Sequence, residues 1–219
     1  MATRLVLAEL GEAYRARSDV AVGFESVGGV DAARRVQAGE AFDLVVLAAD
    51  AIDKLIASGH VVAGSRADLV RSAVAVAVKR GAPRPDISTE NALRSAVLAA
   101  KSIGYSTGPS GTALLKLFER WGIAGQVEGR TLQAPAGVPV GALVSRGDAE
   151  LGFQQLSELM HEDGVDVLGA MPPGCEIVTT FSAGVCAASA QPDAVAALLA
   201  FMRSPAADAA KQRQGMTAA

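Results

Sequence analysis

The chain has 219 residues, half of them hydrophobic, with 20 Lys and Arg against 23 Asp and Glu. It is long enough for one large or two small packed domains and too apolar to be a disordered chain. The near-balanced charge lacks the basic footprint of a nucleic-acid binder, and no stretch reaches the ~18–20 continuous apolar residues of a membrane helix.

Aromatic residues are scarce at 4%. Ala, Val, Leu and Gly therefore supply the core, which suits α/β packing where small residues let helices approach a sheet closely. Glu9 and Glu12 interrupt the first apolar stretch and no small-residue cleavage site follows, so the sequence as it stands reads as cytoplasmic. Cys175 and Cys186 match no metal spacing and read as reduced thiols, a disulfide between them being the alternative. His60 and His161 stand far apart in ordinary contexts, and neither a metal nor a cofactor is expected.

In chain order, Leu5, Ala8, Leu10, Ala13 and Tyr14 recur at helical spacing and predict an amphipathic helix over 3–17. A short strand is expected over Val20–Phe24. After a turn at Glu25–Gly29, a helix runs from Asp31 to Ala38 and ends at Gly39. Phe42–Ala48 is the near-continuous apolar run of a buried parallel strand, and a helix over Ala51–Ser58 closes at Gly59. Such β–α–β–α order implies right-handed crossovers.

Two β-rich segments, Val74–Val78 and Ile177–Cys186, stand outside this rhythm. Between them the pattern predicts a helix over 89–100, a strand over Ser102–Tyr105 and a helix over 111–121. A strand near Thr131–Gln133, a helix over 138–146 and a strand over Leu151–Gln155 follow. Two helices, about 191–203 and 205–213, finish the chain. The simplest topology has two lobes joined by two hinge crossings: residues 1–75 with 180–219, and residues 76–179. Each is expected to hold a mixed, mostly parallel sheet flanked by helices, with a ligand cleft beneath the hinge.

Three loops enter helices with anion-capturing chemistry. Ser26, Gly28 and Gly29 open one; Ser106, Thr107, Ser110, Gly111 and Thr112, with no acidic residue among them, open another; Ala134–Val140 enters a third. Glycines let the backbone close on an anion, hydroxyls add donors without charge, and a helix N-terminus presents unpaired N–H groups. Gln154 and Gln155 end an apolar strand, where α/β sheets place ligand groups. Arg71, ahead of the first crossing strand, carries a fork suited to a carboxylate. No P-loop, dinucleotide fingerprint, Gly-x-Ser-x-Gly elbow or Ser-x-x-Lys pair occurs.

The stretch Val36–Asp50, the run Ser106–Thr112 with the helix ending at Trp121-Gly-Ile, and Val138–Gly152 leading into Gln154-Gln155 together resemble the molybdate-type substrate-binding proteins of ABC transporters. The resemblance implies a type II periplasmic-binding-protein-like fold that captures a small oxyanion or carboxylate, with a transporter permease as partner. It places ligand contacts at Thr3, Ser26, Gly28 and Gly29 in one lobe, and at Ser110, Gly111, Val138 and Val140 in the other. The strand-end position, often tyrosine in molybdate binders, is Gln155 here, which together with Arg71 points toward a small carboxylate. Family members also carry a strand before the first helix. The expectation is therefore that the true start lies upstream, and with it the possibility of a signal peptide and a periplasmic location. Aconitate isomerase resembles the same family and supplies the alternative, an enzyme that moves an allylic proton on a small tricarboxylate. Glu25, Tyr105, Glu158 and His161 are the conceivable bases for that reaction; the sequence selects none of them.

Overall fold

The computed structural model describes residues 2–219. The first half of the chain runs α1 (Arg4–Arg15), α2 (Gly29–Gln37), β1 (Leu44–Ala48), α3 (Ala49–Ala57), β2 (Ala67–Lys79), α4 (Glu90–Ala99), β3 (Ile103–Tyr105) and α5 (Pro109–Arg120). The second half runs α6 (Ala124–Val127), β4 (Thr131–Gln133), α7 (Val140–Arg146), β5 (Leu151–Gln155), α8 (Leu156–Leu159), β6 (Val165–Ala170), β7 (Val178–Val185), α9 (Pro192–Arg203), α10 (Asp208–Arg213) and β8 (Met216–Ala218). The chain divides into two compact units, residues 1–72 with 179–219, and residues 73–178.

In the first unit β1 pairs antiparallel with β7, Leu44 opposite Val185, and the first part of β2 pairs antiparallel with β8, Val70 opposite Ala218. The apolar run at 42–48 is thus a strand, as its composition demands, but its partner is the returning β7 rather than a parallel neighbour. Its pleat sends Val45 and Leu47 against Ile52 and Leu55 of α3, while Leu44 and Val46 pack on the cluster built by α1 and α9. Helix α1 buries Val6, Leu7, Leu10 and Tyr14, a stripe at the 3.6-residue period.

The expected strand at Val20–Phe24 does not form: these residues join no ladder. Val22 and Phe24 instead lean on the α1 cluster, and the Phe24 ring lies so close to Gly11 that a Cβ there would meet Cε2 at 3.1 Å. Nor does the chain finish in its last helix. Gly215 turns it with φ +67, and β8 adds a short strand to β2.

In the second unit β3 pairs in parallel with β4 and with β5, and β5 pairs antiparallel with the second part of β2, whose other partner is β6. Parallel pairing among the described residues is confined to these three strands, β3, β4 and β5. Val74, Val76 and Val78 of β2 face a core with Leu93, Val97, Leu114, Phe118 and Phe153, while Ala75 and Ala77 face α7. The alternation of large and small is the key to the second face. Gly104 and Gly152 stand opposite each other in β3 and β5. A Cβ on Gly152 would sit 2.4 Å from Cγ2 of Val144, and one on Gly104 would sit 3.0 Å from Cγ1 of Val140. Helix α7 therefore lies on bare backbone, closer than any other residue type would permit.

Candidate functional site in the second unit

Because β3, β4 and β5 run parallel, the segments that leave them emerge at one edge of the sheet, the C-terminal edge where α/β proteins assemble ligand sites. Tyr105–Gly108 leads from β3 into α5, Ala134–Pro139 leads from β4 into α7, and β5 passes directly into α8.

The first of these segments is fixed by a hydroxyl pair and a glycine. Ser106 Oγ and Ser110 Oγ lie 2.9 Å apart, and the N–H groups of Gly111 and Thr112 donate to the Gly108 carbonyl at 3.0 and 3.3 Å. A Cβ on Gly111 would fall 1.8 Å from the Ser106 carbonyl oxygen, so only glycine lets the loop fold back over the helix start. Pro109 occupies the first turn of α5, where its missing N–H costs nothing. Ser110 is buried, Ser106 and Tyr105 are half-buried, and Thr107 and Thr112 are exposed. The expected cluster is thus brought together, with its serines inward and its threonines outward.

The second and third segments are joined by Gln154. Its Oε1 accepts from the Val140 N–H at 2.8 Å and from the Gly141 N–H at 3.3 Å, so a side chain of β5 caps the first turn of α7. This geometry exists because α7 rests on Gly104 and Gly152. The Val140 amide, a sequence-level candidate for ligand capture, is thereby held by Gln154, and Val138 stands half-buried in the preceding turn, its N–H on the Pro135 carbonyl at 3.0 Å.

The two glutamines do not act as a pair. Gln154 stands opposite Ala75 and shares its face toward α7, while Gln155 stands opposite Val74 on the face toward α4 and α5. Both are buried, at 4% exposure each.

Glu158 is half-buried in the short helix α8. Burial raises its carboxyl above the ordinary carboxylate range, against the opposing hydrogen bond from Gln154. The other acidic side chains with a resolved displacement, Glu9, Glu40, Asp68, Asp86 and Glu90, are all held low, chiefly by hydrogen bonds from cationic or neutral donors. The remaining conceivable bases have other settings. The Glu25 carboxylate is engaged by Arg35 at 2.7 Å, His161 is exposed, and Tyr105 packs beside Gly111.

The candidates of the first unit are disposed separately. Thr3 precedes α1 with its carbonyl accepting from the Leu7 N–H at 2.9 Å and no side-chain cap. Gly28 and Gly29 begin α2, the Gly28 carbonyl accepting from Ala32 at 2.9 Å, and Ser26 is exposed just before them. Arg71 lies within β2 rather than ahead of it, exposed and opposite Thr217 of β8. Cys175 and Cys186 are free, buried thiols, and no group of three or more potential metal ligands occurs among the described residues.

A mixed α/β chain of two units, with hydroxyl- and amide-lined segments at the helix starts, has the fold of the periplasmic binding proteins. The molybdate-binding protein of Azotobacter vinelandii superposes over 99% of this chain and 96% of its own with a TM-score of 0.80 at 18% identity. The tungstate-binding protein of Desulfovibrio alaskensis does so over 97% and 92% with a TM-score of 0.71 at 14% identity. Residues 1–217 match the bacterial extracellular solute-binding proteins, and the chain belongs to that family. An aconitate isomerase from a Pseudomonas species is 42% identical over 178 residues, spanning 81% of this chain and 67% of the relative.

Proposed function

We propose that this chain binds a small polycarboxylate of the aconitate class and interconverts its isomers by moving a proton. The observation that carries this reading is the 42% identity to an aconitate isomerase over 178 residues, set against 14–18% for the oxyanion binders that share the fold. Read from the residues alone, ligand capture ranks ahead of isomerisation; the relative reverses that order.

The chemistry of the second unit is compatible with it. Recognition of carboxylates calls for hydrogen-bond donors at a helix start, and the Ser106 and Ser110 hydroxyls at the start of α5 are such donors. A 1,3 proton shift calls in addition for a base whose pKa stands nearer neutrality than an ordinary carboxylate, and Glu158 is raised in that direction. Neither group requires a metal or an organic cofactor.

A second reading is capture without turnover: binding of a small oxyanion for a transporter permease, with a periplasmic location. The TM-score of 0.80 to a molybdate-binding protein supports it at the level of fold. A thermal-shift screen separates the two ligand classes, because a ligand selective for the native state raises its melting temperature by mass action. Stabilisation by cis- or trans-aconitate, and none by molybdate, tungstate or sulfate, is the expected result. Stabilisation by the tetrahedral oxyanions alone contradicts it.

A further inference from the structure

We propose that the first unit carries a second ligand site, a pocket for a small primary ammonium ion, at the end of α2 opposite Gly28 and Gly29. The proposal stands independently of the isomerase reading.

The pocket follows from two helices that end in the same way. Gly39 after α2 and Gly59 after α3 both take the left-handed conformation, each with φ +76. At the end of α2 the Gly39 N–H donates to the Val36 carbonyl at 3.0 Å and the Glu40 N–H to the Arg35 carbonyl at 3.2 Å. At the end of α3 the Gly59 N–H donates to the Ile56 carbonyl at 3.0 Å and the His60 N–H to the Leu55 carbonyl at 2.9 Å. The repeated motif places Glu40 and His60 at equivalent positions, one residue beyond each glycine. The end of β7 supplies the third wall. There the Cys186 N–H donates to the Asp43 carbonyl at 3.0 Å and the Ala187 N–H to the His60 carbonyl at 2.9 Å. The three segments enclose about 290 Å³, at the lower end of the range for small-molecule pockets. Val36 and Cys186 line it from the buried side, His60 is half-buried, and Glu40 and Ala188 line it from the exposed side.

The charges around this pocket favour a cation. Both helices meet it with their C-terminal ends, each of which carries about half a negative charge. The Glu40 carboxylate accepts from Arg35 Nε at 2.8 Å, but the same guanidinium also binds Glu25 at 2.7 Å. One cation thus serves two carboxylates, and the cluster keeps a net negative charge. Arg34 is engaged by Asp31 at 3.0 Å. No lysine or arginine is among the described residues that line the pocket.

His60 adds a neutral acceptor. Ser58 Oγ lies 3.2 Å from the Leu55 carbonyl oxygen and 2.9 Å from His60 Nδ1. A hydroxyl has one proton and the carbonyl can only accept it, so Oγ receives the Nδ1–H of a neutral ring. Nε2 is left with its lone pair, an acceptor for an ammonium N–H. Val36, Cys186 and Ala188 offer apolar surface to a short alkyl stem. A metal ion is a poorer occupant, since no group of three or more potential metal ligands occurs among the described residues.

The test uses the full chain at pH 7.5, where an alkylamine is charged, and at constant ionic strength. The probe is n-butylammonium, with butyrate and 1-butanol as its anionic and neutral counterparts. The chain has two histidines, His60 and His161, so their imidazole C2–H signals in the proton NMR spectrum report on the pocket, with H161Q assigning them. The expected result is a saturable shift of the His60 signal with n-butylammonium, at a roughly millimolar midpoint for so small a ligand, while the His161 signal stays in place. Butanol and butyrate should need concentrations at least about tenfold higher. Glu40→Gln should raise the n-butylammonium midpoint about threefold. Ala188→Leu, which fills the pocket from an exposed position, should raise it about tenfold or more. A titration that does not saturate, an equal midpoint for butanol or butyrate, or an unchanged midpoint in either variant overturns the proposal. If Ala188→Leu does not fold, the exposed Glu40→Gln decides alone.

Discussion

The Oε1 of Gln154 accepts the Val140 N–H at 2.8 Å, fourteen residues back along the chain, and so ties the end of β5 to the start of α7. Cutting this tie should destabilise the fold. Gln154→Ala leaves the Val140 and Gly141 amides without their acceptor in a buried setting. A loss of about 1–3 kcal/mol per buried group left without a partner is expected, read as a lower urea midpoint. An unchanged urea midpoint would contradict the structural weight given to the tie.

Gly152→Ala tests the packing that makes the tie possible. The added Cβ would stand 2.4 Å from Cγ2 of Val144, so α7 must lift from the sheet. Overpacking of this kind costs typically 1–3 kcal/mol, and the Gln154 bond should stretch with it. Gly111→Ala does the same at the other segment, where the new atom would lie 1.8 Å from the Ser106 carbonyl. Both variants should melt lower than wild type by scanning calorimetry, and Gly111→Ala should also bind its carboxylate more weakly.

Glu158 should make the protein less stable above its ordinary pKa. A carboxyl whose pKa is raised on folding binds its proton more tightly in the native state, so stability is lost as pH rises from the ordinary value of 4.5 through the raised one. Glu158→Gln removes that penalty. The variant should therefore melt higher than wild type at pH 7.5, and the advantage should shrink as pH is lowered toward 4.5. An equal difference at both pH values would indicate a packing effect instead.

The buried thiols should be slow nucleophiles. Burial, aided by Glu90, pushes Cys175 up to about 11, and burial with Asp43 does the same for Cys186. Roughly one thiol in a thousand is then ionised at pH 8, against about a quarter of an ordinary thiol. Native protein should react with iodoacetamide at least about 100-fold more slowly than the urea-unfolded chain, where both are accessible.

Much of this architecture is legible in the residues because periodicity records burial. The runs Leu44–Ala48, Val74–Val78 and Leu151–Phe153 are apolar on both faces and form strands packed on both faces. Helix α1 forms as its period predicts, with Leu10 and Tyr14 inward, but Val6 and Leu7 complete the buried stripe while Ala8 and Ala13 are exposed. What the pattern does not contain is the partner. Val20, Val22 and Phe24 alternate like a strand, yet they satisfy their burial against α1 without a ladder. The direction of pairing is equally silent: β1 looks the same whether its neighbour runs parallel or, as β7 does, antiparallel. Short strands such as Met216–Ala218 carry too few residues to show a period.

At the site, the serine segment 106–111 is visible from its composition, but the division of labour between the glutamines is not. Adjacent strand residues point to opposite faces, so Gln154 and Gln155 could not both address one ligand group from the same side. The link from Gln154 to the start of α7 depends on how closely α7 approaches the sheet. The signals for that approach are Gly104 and Gly152, two small residues inside apolar strands.

The most direct test of the proposed function is turnover by wild type. Purified protein at catalytic concentration is mixed with excess trans-aconitate, and the cis isomer is followed by proton NMR. The account predicts that cis-aconitate accumulates toward an equilibrium mixture, approached equally from the cis side, at a rate proportional to protein. Saturable binding of trans-aconitate with no cis isomer formed beyond the protein-free rate would contradict it and leave a binding protein for a carboxylate.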